Sequence, residues 1–194
     1  YNPIDEVLMK GHDYNPHSQK IISVGRLSYP KNFELLIEIA SEVFKRHPDW
    51  SWDIYGEGEL HGELQSKIDA YHLQGQVVLK GQVSDIYDRY EDYAFMVMTS
   101  RYEGFPMTLL EGEACGLPMV SFDIKSGPNE IIVDGKNGFL VPSSNKQAML
   151  QKIEELITDT KLRSEMSRNS LNMRHNFSLS QITQQWKQVF ENLS

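Results

Sequence analysis

Two carboxylates and two cations carry the strongest chemical signal in this sequence. Glu103 and Glu111 stand eight residues apart, separated by a glycine turn, Gly104-Phe105-Pro106, and the start of a helix-forming stretch at Met107. The run Ala94-Phe95-Met96-Val97-Met98 precedes them and has the length and apolarity of a buried strand. Glu103 therefore falls at a strand end and Glu111 on the helix behind it. An ionised carboxylate accepts two hydroxyl hydrogen bonds, which suits the diol of a sugar or a ribose. The first-turn amides of Met107, Thr108 and Leu109 are free donors of the kind that receive phosphate. Arg26 and Lys31 follow a second apolar run, Lys20–Val24, and its closing Gly25. Arginine grips phosphate as a planar fork and lysine as a point charge, each charge-assisted bond contributing about 1.5–3 kcal/mol. The plainer readings are solvated surface cations, a helix-entry carboxylate for Glu103 and an exposed helix glutamate for Glu111. Glu113 has no turn geometry to recommend it and reads as a surface residue.

The elements that must hold these groups alternate. Strands are expected at Lys20–Val24, Trp50–Tyr55, Gln76–Leu79, 94–98, Pro118–Phe122 and Gly138–Val141. Helices are expected over Asn32–Arg46, Glu59–Tyr71, Asp85–Tyr93, Met107–Cys115, Pro128–Val133, Asn145–Asp159, Lys161–Arg174 and Ser178–Asn192. Each strand is a continuous apolar run, and strands alternate with helices six times. That pattern predicts an α/β fold: a doubly wound, parallel, six-stranded sheet with helices on both faces. Ligands of such sheets sit beyond the carboxyl ends of the strands, where the strand order reverses. Gly25, Gly56, Gly81 and Gly104 mark those ends. Residues 1–19 are polar, contain Pro3 and Pro16, and read as a linker or lead-in.

Composition narrows the partners. The chain has 194 residues and a formal charge of −8, which argues against a nucleic-acid partner over a broad face. Two local cations can still hold a diphosphate, because screening acts over roughly 8 Å at physiological salt. A single cysteine, Cys115, excludes an internal disulfide and reads as small core filler. No apolar run reaches the roughly 20 residues of a membrane span. The six histidines are scattered, with no His-Glu-x-x-His, so no metal site is expected. Gly56-Glu57-Gly58 is not a dinucleotide fingerprint, and neither a Gly-x-Ser-x-Gly elbow nor a Gly-Lys-Ser/Thr phosphate loop is present. The opening Tyr1-Asn2-Pro3-Ile4-Asp5 suggests a cut within a longer chain.

Taken in order, these motifs resemble the C-terminal, donor-binding half of the retaining glycosyltransferases of family 4, which have the GT-B fold with a Rossmann-like half. The resemblance runs through Asn2–Asp5, Val24-Gly25-Arg26-Leu27 with Lys31-Asn32, Ile54–Gly58, Leu79-Lys80-Gly81, and the Glu-x7-Glu stretch from Ser100 to Ala114. Gly127–Ile132 and Asn137–Val141 complete it. It implies a nucleotide-diphosphate sugar as donor substrate, a UDP- or GDP-sugar, with no cofactor and no metal. It implies that Gly25, Arg26 and Lys31 meet the diphosphate, that Glu103 faces the donor sugar, and that Glu111 binds the ribose. It further implies that backbone from Gly104, Phe105, Pro106, Met107, Thr108 and Leu109 touches sugar and phosphate, and that backbone from Leu79 to Val83 meets the base. Glu103, Arg26 and Lys31 would be the catalytic set, acting by electrostatic stabilisation of the leaving diphosphate.

The resemblance also implies partners: a saccharide or lipid-linked acceptor, and the chain's own N-terminal domain, which supplies the acceptor site. Residues 20–177 would form the nucleotide-sugar-binding domain. Residues 178–194 would form a helix packing toward that N-terminal domain, leaving Trp186 and Phe190 exposed here. The isolated chain would bind donor weakly and transfer no sugar. The implied location is the cytoplasm, at the inner face of the membrane, in polysaccharide or glycolipid assembly. Two alternatives stay open: an epimerase or phosphorylase of the same fold, and a module that binds a nucleotide sugar without turning it over.

Overall fold

The computed structural model describes residues 2–4, 8 and 13–191. Six strands, β1 (Lys20–Val24), β2 (Ser51–Tyr55), β3 (Val77–Gly81), β4 (Phe95–Met98), β5 (Met119–Asp123) and β6 (Gly138–Pro142), form one parallel sheet in the order β3-β2-β1-β4-β5-β6. Eight helices accompany it among the described residues. They are α1 (Phe33–Arg46), α2 (His61–Ala70), α3 (Ile86–Arg89), α4 (Met107–Ala114), α5 (Pro128–Ile131), α6 (Lys146–Thr158), α7 (Thr160–Met173) and α8 (Leu179–Glu191). The doubly wound fold expected from the alternating apolar runs is what the chain adopts.

The runs are continuous because each strand feeds two cores. Ile21, Trp52, Ile54, Phe95, Val97, Val120 and Phe122 pack with α1, α2 and α6 on one face. Ile22, Tyr55, Met96, Met98 and Met119 pack with α4 and the carboxyl-terminal segments on the other. Successive residues of a strand point to opposite faces, so a two-faced sheet needs apolar residues at every step.

The strand order reverses between β1 and β4. These two pair over only Ile21↔Phe95 and Ile22↔Met96, whereas β1 pairs β2 along all five residues. Beyond Ile22 the two middle strands part, and their connections leave to opposite faces. This opens the crevice where ligands of doubly wound sheets bind. The β1 and β2 ends meet closely on its other side. Gly56 has φ +136°, and a Cβ there would fall 2.0 Å from the Gly25 carbonyl oxygen, so only glycine fits.

Several boundaries differ from expectation for local reasons. Trp50 precedes β2, its ring packing on Phe95 at 5.8 Å. The helix expected over Asp85–Tyr93 breaks after Arg89 into a single tight turn, Tyr90–Asp92, which turns Tyr90 fully inward. α7 begins at Thr160 because the Asp159 side chain accepts the Leu162 N–H at 2.9 Å, a cap contributing about 1 kcal/mol. Within the lead-in, Ile4 and Leu8 are buried and the Ile4 N–H donates to the Phe177 carbonyl at 2.8 Å. Asp5 and Asn192 lie outside the described residues. Along α8 only Ile182 is buried, while Trp186 and Phe190 stack at 5.9 Å and stay more than half exposed. Among the described residues, no helix is long and apolar enough to cross a membrane.

Candidate functional site

The connections after β1 and β4 bring Lys31 and Glu103 together across the crevice. Lys31 Nζ donates to Glu103 Oε1 at 2.6 Å, and the Ser100 hydroxyl donates to the same oxygen at 2.7 Å. Both side chains are mostly buried, at 20% and 12% exposure, so solvent does not scatter the pair. The Lys31 carbonyl in turn accepts from Thr99 Oγ1 at 3.1 Å, tying the first loop to the end of β4. A second hold comes from the far side. Ser126 Oγ donates to the Glu103 carbonyl at 3.0 Å. Gly127, at φ +101°, lies so close that a Cβ would come within 2.5 Å of Pro106 Cδ.

A cleft of about 490 Å³ opens beside this pair. It is lined by Gly25 and Arg26 after β1, by Tyr55-Gly56-Glu57 after β2, by Gln82, Val83 and Ile86 after β3, and by Thr108 and Glu111 of α4. Its volume lies within the roughly 300–1,000 Å³ of small-molecule sites. Arg26 is 75% exposed, and among the described residues its side chain pairs only with Glu59, at 3.5 Å. An exposed pair of that kind holds the guanidinium weakly, leaving it able to turn to an incoming anion.

Glu111 is held rather than exposed. Tyr90 Oη donates to Glu111 Oε2 at 2.8 Å. Burial raises its carboxyl above the usual range, and hydrogen bonds from Tyr90 and Tyr87 pull it back toward the charged form. Tyr90 itself is fully buried, and its phenol is pushed up by burial and then by the Glu111 charge. At the start of α4, Leu109 N–H already donates to the Pro106 carbonyl at 3.0 Å. Pro106 has no N–H to give. The Thr108 hydroxyl is buried without a hydrogen-bond partner and lines the cleft.

Of the expected site residues, the structure gathers Gly25, Arg26, Val83, Thr108 and Glu111 around the cleft and Lys31 with Glu103 at its edge. The Leu79 side chain packs against the core on the α2 face, while Gln82, Val83 and Ile86 line the cleft beyond the end of its strand. Gly104 is exposed on the turn, and Met107 is partly buried, its sulfur accepting from Asn2 Nδ2 at 3.6 Å. The Phe105 ring packs on Phe177 at 5.9 Å, so its side chain anchors the turn.

Glu113 is not a surface residue. It is fully buried, and Asn137 Nδ2 donates to its Oε1 at 3.1 Å while Oε2 has no partner. Burial pushes its carboxyl up to about 8, against the Asn137 hydrogen bond that lowers it, so burial favours the neutral form. Asn137 also donates to the Ile131 carbonyl and accepts from Val133 N–H, locking α4 to the turn before β6. The sequence reading missed Tyr90, Ser100 and Ser126 as supports of the two glutamates. Tyr55-Gly56-Glu57 gave a faint signal through its glycine.

A six-stranded parallel sheet flanked by helices on both faces is the Rossmann-like half of a GT-B fold. The family described as glycosyl transferases group 1 matches residues 5–173, and the chain belongs to it. The amylovoran biosynthesis glycosyltransferase AmsD of Erwinia amylovora is 33% identical over 170 residues, covering 88% of this chain and 47% of AmsD. Among solved structures, a variant of S. aureus TarM in complex with Fondaparinux, alpha-GlcNAc-glycerol and UDP superposes with TM-score 0.86 at 31% identity, covering 93% of this chain and 38% of TarM. The pneumococcal O-GlcNAc transferase GtfA in complex with UDP and GlcNAc gives 0.83 at 30%, covering 93% and 37%. The chain spans less than half the length of each.

Proposed function

We propose that this chain binds the nucleotide-diphosphate sugar donor of a glycosyltransferase acting with retention of configuration, the reacting end of the acceptor being held by a domain beyond these residues. The observation that carries the reading is the pairing of two held glutamates on one crevice: Glu103 clamped by Lys31 and Ser100, Glu111 clamped by Tyr90 beside the cleft. Glu111 takes the ribose diol. Arg26, Lys31, the α4 amides and the Thr108 hydroxyl take the diphosphate. Val83 and its neighbours meet the base, and Glu103 faces the sugar.

Chemistry then follows from charge. The bond from the sugar's anomeric carbon to the β-phosphate oxygen breaks, and negative charge grows on the departing diphosphate. Lys31 and Arg26 stabilise that charge where it develops. An acceptor hydroxyl attacks the same face of the carbon and passes its proton to the departing phosphate, so the anomeric configuration is kept. The donor is a hexosyl or N-acetylhexosaminyl uridine diphosphate, a choice supported by the UDP complexes of TarM and GtfA. Polymer assembly as the setting is supported by AmsD.

Thermal-shift measurement against uridine, guanosine and adenosine diphosphate sugars tests the reading, because a ligand that binds only the folded state raises the midpoint by mass action. A selective rise with the uridine sugar is expected. No rise with any of the three would remove the proposal. Retention is read separately, from the anomeric configuration of the product made by the intact enzyme.

A further inference from the structure

The crevice has a second side. Away from the donor cleft, the ends of β4, β5 and β6 and the start of α1 enclose a cavity of about 500 Å³ that shares no lining residue with the cleft. Its apolar floor includes Leu35 and Phe122. Polar residues from three loops and from α1 line it: Asn32, Ser100, Arg101, Ser143 and Ser144, with Glu34 and Glu38.

Much of their hydrogen-bonding capacity is unused. Asn32 stands at the start of α1 in a left-handed conformation, φ 56°, is nearly buried, and its side chain caps nothing. Glu34 Oε2 is buried without a hydrogen bond, its ion-pair contact being Arg101 Nη1 at 3.9 Å. The Ser143 and Ser144 hydroxyls bond no described residue. Buried polar atoms without partners are uncommon and destabilising, and Glu34 Oε2 is one at this cavity, beside the exposed hydroxyls of Ser143 and Ser144. Arg101 is fixed in place. Its guanidinium lies 4.2 Å from the centroid of the Tyr29 ring, and Nη1 donates to the Tyr29 carbonyl at 2.5 Å.

The cavity also touches the reacting pair. Ser100 faces it and donates to Glu103 Oε1, and Lys31, next to Asn32, donates to the same oxygen. An occupant would sit one side chain away from Glu103, opposite the donor. Carboxylate, carboxamide and hydroxyl groups above an apolar floor suit the mixed donors and acceptors of a sugar ring. The charges at the cavity are paired, Glu34 with Arg101 at 3.9 Å and Glu38 with Lys67 at 2.6 Å and Lys146 at 3.9 Å, which suits an uncharged occupant.

We infer that this cavity binds a neutral sugar residue of the acceptor, which rests on the glycosyltransferase reading above. The donor half would then grip the acceptor as well as the donor, with the Lys31–Glu103 pair as the partition between them.

Amide NMR titration of this chain tests it, with methyl α-D-glucopyranoside and UDP as separate probes. The glucoside is expected to shift the amides of Glu34, Ser100, Ser143 and Ser144 saturably, with UDP absent or bound. Ser143→Trp, which fills the cavity, should abolish those shifts and leave UDP affinity unchanged. Glu34→Gln should weaken them without altering the melting midpoint. Glucoside shifts that are absent, that survive Ser143→Trp, or that fall only on the donor cleft would overturn the inference. So would a response of the cavity amides to glycerol 1-phosphate in place of the glucoside. If UDP leaves the amides of Gly25 and Glu111 unmoved, the donor reading fails by itself. Cavity shifts with the glucoside would then show a sugar site but refute its acceptor role.

Discussion

Lys31 and Glu103 come from loops 72 residues apart and meet at 2.6 Å, where the strand order reverses between β1 and β4. A mostly buried ion pair is costly to break from one side, because the remaining charge stays desolvated. Lys31→Met is therefore expected to lower stability and to weaken nucleoside diphosphate binding by about tenfold or more, the equivalent of one charge-assisted hydrogen bond. Calorimetric titration with UDP reads this directly. Glu103→Gln should leave UDP affinity nearly intact and remove only the gain contributed by an attached sugar.

Glu111 has two tasks, which separate by choice of ligand. Glu111→Ala leaves the buried Tyr90 hydroxyl without its acceptor, at a cost of about 1–3 kcal/mol to stability. The wild-type chain should prefer UDP over 2′-deoxy-UDP, and Glu111→Ala should bind both equally. A variant that keeps the preference would place the ribose elsewhere.

Glu113 predicts a pH dependence of stability. Its carboxyl titrates near 4.5 in the unfolded chain and about 8 in the folded one. Below 4.5 both states hold the proton and no penalty exists. Between 4.5 and 8 the unfolded state releases the proton while the folded state retains it, so stability falls with rising pH and the full penalty stands above 8. Linkage sets its ceiling at roughly 3–5 kcal/mol. Glu113→Gln imitates the neutral form and should raise the unfolding free energy at pH 8 while leaving it near wild type at pH 4. Urea denaturation at the two pH values checks this, and equal effects at both would contradict it.

Gly127→Ala tests the support behind the glutamate turn. The position combines φ +101° with a Cβ contact of 2.5 Å to Pro106, so either the backbone or the turn must shift. A loss of about 1–3 kcal/mol in stability is expected, with a weaker sugar contribution to donor affinity. A thermally neutral variant would mean that the turn yields freely.

The framework was legible because a doubly wound sheet writes itself as apolar runs, and Arg26, Lys31 and Glu103 stand in the loops that follow two of those runs. Glu113 was misread because its environment is built by Asn137, 24 residues away, and nothing local marks a glutamate as buried. Tyr90 was taken for a helix residue because the break after Arg89 follows from its inward turn to Glu111 rather than from a proline or glycine. The resemblance implies base contact for backbone from Leu79 to Val83, while the Leu79 side chain packs into the core. The strand continues to Gly81, which carries the cleft-facing residues to Gln82 and beyond.

The account stands or falls on whether a nucleoside diphosphate occupies the crevice beside Lys31. Calorimetric titration of UDP into the wild-type chain and into Lys31→Met is the direct measurement. Saturable binding to the wild-type chain, weakened about tenfold or more in the variant, is the predicted result. Equal binding by both proteins, or none to the wild-type chain at millimolar UDP, would contradict it.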